Sequence, residues 1–327
     1  MGATGQRSTG SGHGPAFPAG LTLRHVLDDI DAFVAEAVGW NQEYLKVGRD
    51  RFHGDLRAGH TASAQLARFA WSTDMVVRGC IPAGCITFAV PERLDGPGRL
   101  AATELGLDRV GVIRSGQDFV FRTVGQCHAF VLSVETDRFD TACAIWLGED
   151  FRALGTPAVP LAVRDMAPVR HRFGQVLGDL QADPARLGHP GLQRVLEEDL
   201  LAAVLSAVAD RRPQPASAGH RRLALRADDY LRANRNRPVT IAELCAAAGA
   251  PERSLHMAFR ELFGEPPARY LRLMRLAGAR RTLQRGTARS VTEAATDWGF
   301  YSLGEFAVAY RRHFGESPSR TLRRGPG

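Results

Sequence analysis

The chain has 327 residues, 44% hydrophobic and 24% charged, with a formal net charge of +7, which is ordinary for a globular protein and long enough for two domains. The charge is unevenly placed: Gly219 to Gly327 holds 20 Arg, no Lys and 10 acidic residues, and the part before it holds 22 basic and 25 acidic. With no secretory leader, no apolar run near about 18 residues and five dispersed cysteines, a membrane span and a disulfide scaffold are excluded, and a cytoplasmic protein is expected.

Residues 1–20 are rich in Gly, Ser, Thr and Pro, and a disordered tail is expected there. Over 21–40, Leu23, Val26, Leu27, Ile30, Phe33 and Val34 recur at three and four, which predicts a helix. The texture then changes to short runs at 52–56, 62–71, 76–80, 85–90, 110–114, 118–124 and 128–134. They carry Phe, Val, Ile and Thr and are broken by Gly, Pro and Asp, the pattern of a small antiparallel barrel or sandwich. Helical spacing returns at 136–147, 168–181 and 191–210, the last with a wide apolar side suited to packing on its own sheet or on a second copy. Residues 211–219, with two prolines and no periodicity, read as a linker. The expected domains are therefore 21–210 and 220–327.

The second of these contains a repeated unit. Thr240 with Glu243 is a capping box that opens a helix, and Gly249 can adopt the left-handed conformation that ends it. A further helix starts at Pro251. On it Leu255, Phe259 and Leu262 share one face, and Arg253, His256, Met257 and Arg260 share another. The pattern recurs further on, as Ser290 with Glu293, Gly299, then Ser302 with Glu305; sliding the second helices by fifty-one residues superposes them, with Phe306 and Tyr310 inward and Gly304, Ala307, Val308 and Arg311 outward. Between the units 266–285 reads as one helix, opened by prolines and closed by Gly286. Twenty residues at about 1.5 Å each give roughly 30 Å, close to the roughly 34 Å between successive major-groove faces of B-DNA. A short helix, a glycine turn and a second helix with a cationic outer face make up a major-groove reader. The basic excess lies on the same segment, which points to duplex DNA.

Over about 221–324 the chain resembles the DNA-binding domain of the AraC/XylS transcription regulators. The resemblance rests on Tyr270-Leu271-x-x-x-Arg275, Ala279-Arg280-x-x-Leu283, Gly299-Phe300, Phe306 and the closing Phe314-Gly315-x-x-Pro318. The sequence departs from the pattern in having Pro251 where a capping serine is usual and Cys245 where a small alanine is usual. The resemblance implies an α+β chain: an N-terminal cupin-like barrel or sandwich that senses a small molecule or holds a dimer, then an all-α domain with two helix–turn–helix units. Within that family the front half looks closest to the ethanolamine-operon-regulator branch. It also implies a double-stranded DNA operator, a homodimer, RNA polymerase as a partner, and activation more often than repression, with no membrane and no cofactor.

On this reading Arg253, His256, Met257, Leu303, Gly304, Ala307 and Val308 face the bases, the first two by hydrogen bonds and the apolar ones through thymine methyls and duplex shape. Arg260, Ser302, Arg311 and Arg312 face phosphates, with Arg232, Arg235 and Arg237 as further candidates. Each arginine has a bland alternative as plain surface charge. Trp71, Phe88, Phe119, Phe121 and Phe130 sit in strand-like runs and are candidates for lining an effector pocket, or else are core.

Cys80, Cys85, Cys127 and Cys143 raise a redox or metal sensor. Their spacing is not that of paired metal ligands, and buried apolar cysteines fit better. His53, His60 and His128 raise a metallo-enzyme but lack a His-x-His grouping, so neither catalysis nor a metal site is expected. A remaining alternative is an architectural or partner-docking protein whose front domain binds another protein.

Overall fold

The computed structural model describes residues 17, 22–37, 40–146, 158–208, 218–237 and 239–325. Among the described residues twelve strands form two antiparallel sheets. The larger has the order β1-β3-β4-β11-β6-β9-β12 and the smaller β2-β5-β10-β7-β8. The larger comprises β1 (Thr22–Leu27), β3 (Gly54–His60), β4 (Ala64–Trp71), β6 (Cys85–Leu94), β9 (Arg109–Arg114), β11 (Cys127–Glu135) and β12 (Val159–Ala162). The smaller comprises β2 (Asn41–Lys46), β5 (Met75–Cys80), β7 (Arg99–Leu100), β8 (Thr103–Glu104) and β10 (Phe119–Thr123). All seven short runs named from the sequence overlap strands, and the α+β order of a sheet-rich half followed by helices holds.

The helix expected over 21–40 is a strand followed by a short helix, α1 (Ile30–Ala35). Asp29 sets the break: its carboxylate accepts from the backbone N–H of Asp31 and Ala32 at 2.9 and 3.0 Å, so the helix starts there and not at 21. The residues before it pair with β3 from Thr22↔Gly59 to Leu27↔Gly54. The linker expected at 211–219 lies mostly outside the described residues; its last two positions begin α6 (Ala218–Ala233). Of the tail expected at 1–20 only Phe17 is described, buried with its ring edge-on to His60 at 5.7 Å.

Alternation along the strands builds four layers. The outer face of the larger sheet carries Phe88, Phe130 and Leu132 against α2 (Thr136–Trp146), α3 (Ala167–Ala182) and α5 (Leu200–Val208), with α4 (Pro190–Arg194) joined to α5 by a π-helical turn. Between the sheets lie Phe33, Tyr44, Phe69, Trp71 and Phe119. The outer face of the smaller sheet is also apolar: Leu45, Val76 and Val120 point away from the sandwich into a third cluster with Leu223, Ala227 and Leu231 of α6 and with the helices that follow. Strands β2, β5 and β10 are thus buried on both faces, and the helical domain docks on the side that would otherwise stay exposed.

Two buried imidazoles make stability sensitive to acid. Burial pushes the pKa of His60 and of His313 from 6.5 down to about 4. Between those values the unfolded chain binds more protons than the folded one, so stability present above pH 6.5 is lost as pH falls toward 4. The melting temperature is expected to fall across that window by calorimetry; a flat profile there contradicts the buried neutral assignment.

Candidate nucleic-acid interface

The first helix–turn–helix unit is α7 (Ile241–Ala248) followed by α8 (Glu252–Phe263). The Thr240–Glu243 capping box is formed in both directions: Glu243 N donates to the Thr240 hydroxyl at 3.2 Å and Thr240 N to the Glu243 carboxylate at 2.7 Å. Those bonds, with Arg237, lower the Glu243 pKa to about 2. Gly249 ends α7 at φ +64, a backbone shape that costs glycine little. Leu255, Ala258, Phe259, Leu262 and Phe263 are buried. Arg253, Met257 and Arg260 are exposed, and His256 is half-buried beside Glu252 at 3.7 Å.

The second unit is α10 (Val291–Asp297) followed by α11 (Leu303–Phe314). Ser290 caps α10 by accepting from Glu293 N at 3.0 Å, while the Glu293 carboxylate accepts from Arg289 N at 2.7 Å and not from Ser290, so the box is displaced by one residue. Ser302 caps α11 through Glu305 N at 3.4 Å. Phe306, Tyr310 and His313 point inward. Gly304, Ala307, Arg311 and Arg312 are exposed, with Leu303 43% and Val308 70% accessible. Both outer faces named from the sequence are therefore open to solvent with the front domain docked. α12 (Pro318–Arg324) closes the unit through Thr321, whose hydroxyl accepts from Tyr310 OH at 2.8 Å.

One continuous helix, α9 (Pro267–Gln284), joins the units; at about 1.5 Å per residue its length is roughly 27 Å. The stretch around Tyr270 and Arg275 anchors this rod. Tyr270 OH accepts from Arg232 at 3.0 Å, and Arg275 Nε donates to the Arg235 carbonyl at 2.6 Å, tying α9 to the turn after α6. Gly278 sits mid-rod because the Trp298 ring occupies its side: a Cβ there would lie 2.3 Å from the ring. The same indole donates to Thr282 Oγ1 at 2.9 Å, so rod and second unit are locked in register. Gly278→Ala gains about 1 kcal/mol of helix propensity but overpacks by about 1–3 kcal/mol. The net expected loss is about 1 kcal/mol, with Trp298 fluorescence displaced; unchanged fluorescence and stability would show that the ring gives way freely.

Three arginines considered for phosphate contact are otherwise engaged. Arg232 is held by Asp228, Tyr270 and Glu43 of β2. Arg235 stacks over Trp298 at 4.8 Å, and Arg237 pairs with Glu243 at 2.8 Å. Sequence reading saw their charge but not the partners that the fold brings to them.

A second candidate site lies between the sheets, a cavity of about 60 Å3 lined by Trp71, Phe119 and Phe121 together with Trp40, Tyr44 and Gln42. Phe88 and Phe130, expected beside them, are not there. Neighbouring strand residues point to opposite faces, so with Thr87, Ala89, Ala129 and Val131 on the cavity wall, Phe88 and Phe130 turn outward onto Phe139 and Phe173, each at 5.9 Å. Sequence reading missed Gln42, whose buried Oε1 has no hydrogen-bond partner among the described residues. Among the described residues the lining holds no ionisable group other than Tyr44, whose phenol burial keeps protonated.

The cysteines are free thiols. Burial raises Cys127, pushes Cys85 up to about 12 and Cys143 to about 11, which keeps them from the reactive thiolate form. Among the described residues His, Cys, Asp and Glu form no cluster of three or more arranged for a metal, and no helix is long and apolar enough to cross a membrane.

Comparison with known proteins places this geometry. Residues 244–324 match a family model described as a helix-turn-helix domain. The chain is 38% identical over 146 residues to a probable thc operon regulatory protein of Rhodococcus erythropolis, which covers 42% of this chain and 43% of that protein. It is 39% identical over 95 residues to XylDLEGF operon transcriptional activator 2 of Pseudomonas putida, covering 28% of this chain and 60% of that one. The matches thus span about half the length of these relatives. A solved structure from Rhodopseudomonas palustris, a probable AraC family transcriptional regulator, is 39% identical over 32% of this chain and 98% of its own, at a TM-score of 0.30. The C-terminal helix-turn-helix domain, residues 244–324, is of the type found in the AraC/XylS transcription regulators.

Proposed function

We propose that the protein is a cytoplasmic, sequence-specific DNA-binding regulator that lays α8 and α11 into neighbouring major grooves. The observation that carries this reading is the pair of outward helix faces, both accessible, on two units fixed to one rod. The first face is polar and cationic; the second is built from Gly304, Ala307 and Val308 beside Arg311. The first unit then makes most of the hydrogen-bonded base contacts through Arg253 and His256, with Met257 beside them. The second reads thymine methyls and groove shape through Leu303 and its neighbours. Arg260, Ser302, Arg311 and Arg312 hold the backbone. Selection of duplexes from a random pool, followed by footprinting, tests it: two protected major-groove segments about one helical turn apart are expected per chain, and a single segment or none refutes it.

We further propose that residues 21–210 form an effector and dimer domain, that 220–327 bind DNA, and that the chain acts as a homodimer contacting RNA polymerase. Activation is supported by the relatives named activators. The cavity behind Trp71, Phe119 and Phe121 suits a small neutral, largely apolar molecule with one donor for Gln42 Oε1. Its walls also carry the docking contacts: Tyr44 faces in and Leu45 out, Val77 in and Val76 out, Phe121 in and Val120 out. A ligand that spreads these strands thereby shifts the docked helices, provided it binds the two arrangements unequally. A thermal-shift screen of the full chain against small neutral aromatics, repeated with Gln42→Leu, tests this: a shift that survives the substitution rules out the handle.

A further inference from the structure

A cleft of about 290 Å3 opens where the two domains meet beside α11. Its walls bring together Arg49, from the turn after β2, Arg269 and Arg272 of α9, and Val308, Arg312 and His313 of α11, and among the described residues no carboxylate lines it. Arg269 is paired with Glu265 at 3.1 Å. Arg49, Arg272 and Arg312 are exposed, and among the described residues none of the three has an ion pair or hydrogen bond. His313 is 7% exposed, and its buried Nε2 has no hydrogen-bond partner among the described residues. Its carbonyl accepts from Lys46 Nζ at 3.1 Å, which fixes the end of β2, and hence the Arg49 turn, against α11.

Guanidiniums gathered round one recess repel one another unless carboxylates lie among them, as Asp228 and Asp229 do beside Arg78. Here the counter-charge has to come from outside. Val308 and Arg312 belong to both the cleft wall and the outward side of α11, so a duplex seated on α11 carries its phosphates across the opening. We infer that this cleft is a seat for a DNA backbone phosphate, and that the N-terminal domain itself contacts the duplex through Arg49. The inference rests on the reading of α11 as a DNA reader and adds to it a residue outside the helix–turn–helix domain.

The test uses the full chain, fluorescence anisotropy and two duplexes, one selected from a random pool and one of random sequence, between 50 and 200 mM salt. Each phosphate neutralised contributes about 0.9 to the slope of log affinity against log salt. Arg49→Ala and Arg272→Ala are each expected to reduce that slope by about 0.9 and to weaken both duplexes alike. Arg51→Ala, two residues along the same turn and paired with Asp28 at 3.4 Å, is expected to leave it unchanged. An Arg49→Ala slope equal to wild type overturns the inference, and so does an equal loss in Arg51→Ala, which would mark bulk charge. Inorganic phosphate that raises the melting temperature of wild type but not of Arg49→Ala, with the DNA slope intact, also overturns it by making this a free-oxyanion site. If wild type itself binds neither duplex, the reader assignment fails as well, and the two failures are thereby told apart.

Discussion

Replacing Arg78 by alanine is expected to cost about 3–5 kcal/mol of interdomain stability, the range for removing one partner from a buried ion pair. Arg78 projects from β5 onto α6, where it meets the fully buried carboxylate of Asp228 and, at 2.7 Å, Asp229. Asp228 also accepts from Arg232 Nε at 3.0 Å, and Arg232 reaches back to Glu43 of β2. Glu43 in turn lies 3.5 Å from Arg281 of α9. The front domain thus grips α6 and α9 through one network laid over the apolar contact of Leu45, Val76 and Val120. Taking away the guanidinium leaves Asp228 shielded from water with one partner where it had two. The cheapest relaxation is to lift α6 off the sheet and hydrate the charge.

Calorimetry of wild type is expected to give one cooperative transition, and Arg78→Ala two, as the domains unfold separately. A double-mutant cycle with Asp228→Asn should show a coupling of about 0.5–3 kcal/mol, since the amide no longer strands a charge. A single transition at the wild-type temperature would show that the apolar contact alone holds the domains together. Because the outer faces of α8 and α11 are open in the docked state, separation is expected to change how well binding responds to the cavity, and not whether DNA can reach the helices.

How much of this was legible beforehand follows from where each signal is stored. The helix–turn–helix units were readable because their determinants are local: Thr240 and Glu243 cap one helix, Gly249 ends it, and the apolar spacing of Leu255 and Phe259 sets the inner face of the next. The longer strands from 52 to 134 were readable because β-branched and aromatic runs alternate with turn residues, whereas β7 and β8, of two residues each, carry no such run. Residues 21–40 were not, since Leu23, Val26, Leu27 and Ile30 satisfy a helical spacing while the deciding interactions are a ladder to β3 and the Asp29 cap. Phe88 and Phe130 could not be assigned to a face until the sheets were paired, since a run buried on both sides carries no period. Gly278 and Arg232 were opaque for a related reason: one answers to an indole twenty residues on, the other to a carboxylate in the other domain.

Arg253→Ala is expected to remove about 1–3 kcal/mol of discrimination at a single base position, roughly fivefold to 150-fold, while leaving affinity for random duplex nearly intact. The argument is geometric. Arg253 lies in the first turn of α8, exposed and without an ion pair among the described residues, where the recognition helix of such a unit meets base edges. His256, its neighbour one turn on, already has Glu252 at 3.7 Å, which leaves Arg253 as the stronger donor. Arg312, at the far end of α11, is placed for a phosphate, so Arg312→Ala should weaken every sequence alike and lower the salt slope by about 0.9. Arg253→Lys separates charge from shape: it keeps the cation but loses the planar fork that meets guanine O6 and N7 together. Lysine is therefore expected to hold affinity for random duplex and still lose most of the discrimination. Competition titrations with duplexes altered one base pair at a time read out both effects. If Arg253→Ala instead weakens all of them equally and flattens the salt dependence, Arg253 holds the backbone, and base reading by α8 falls to His256 and Met257.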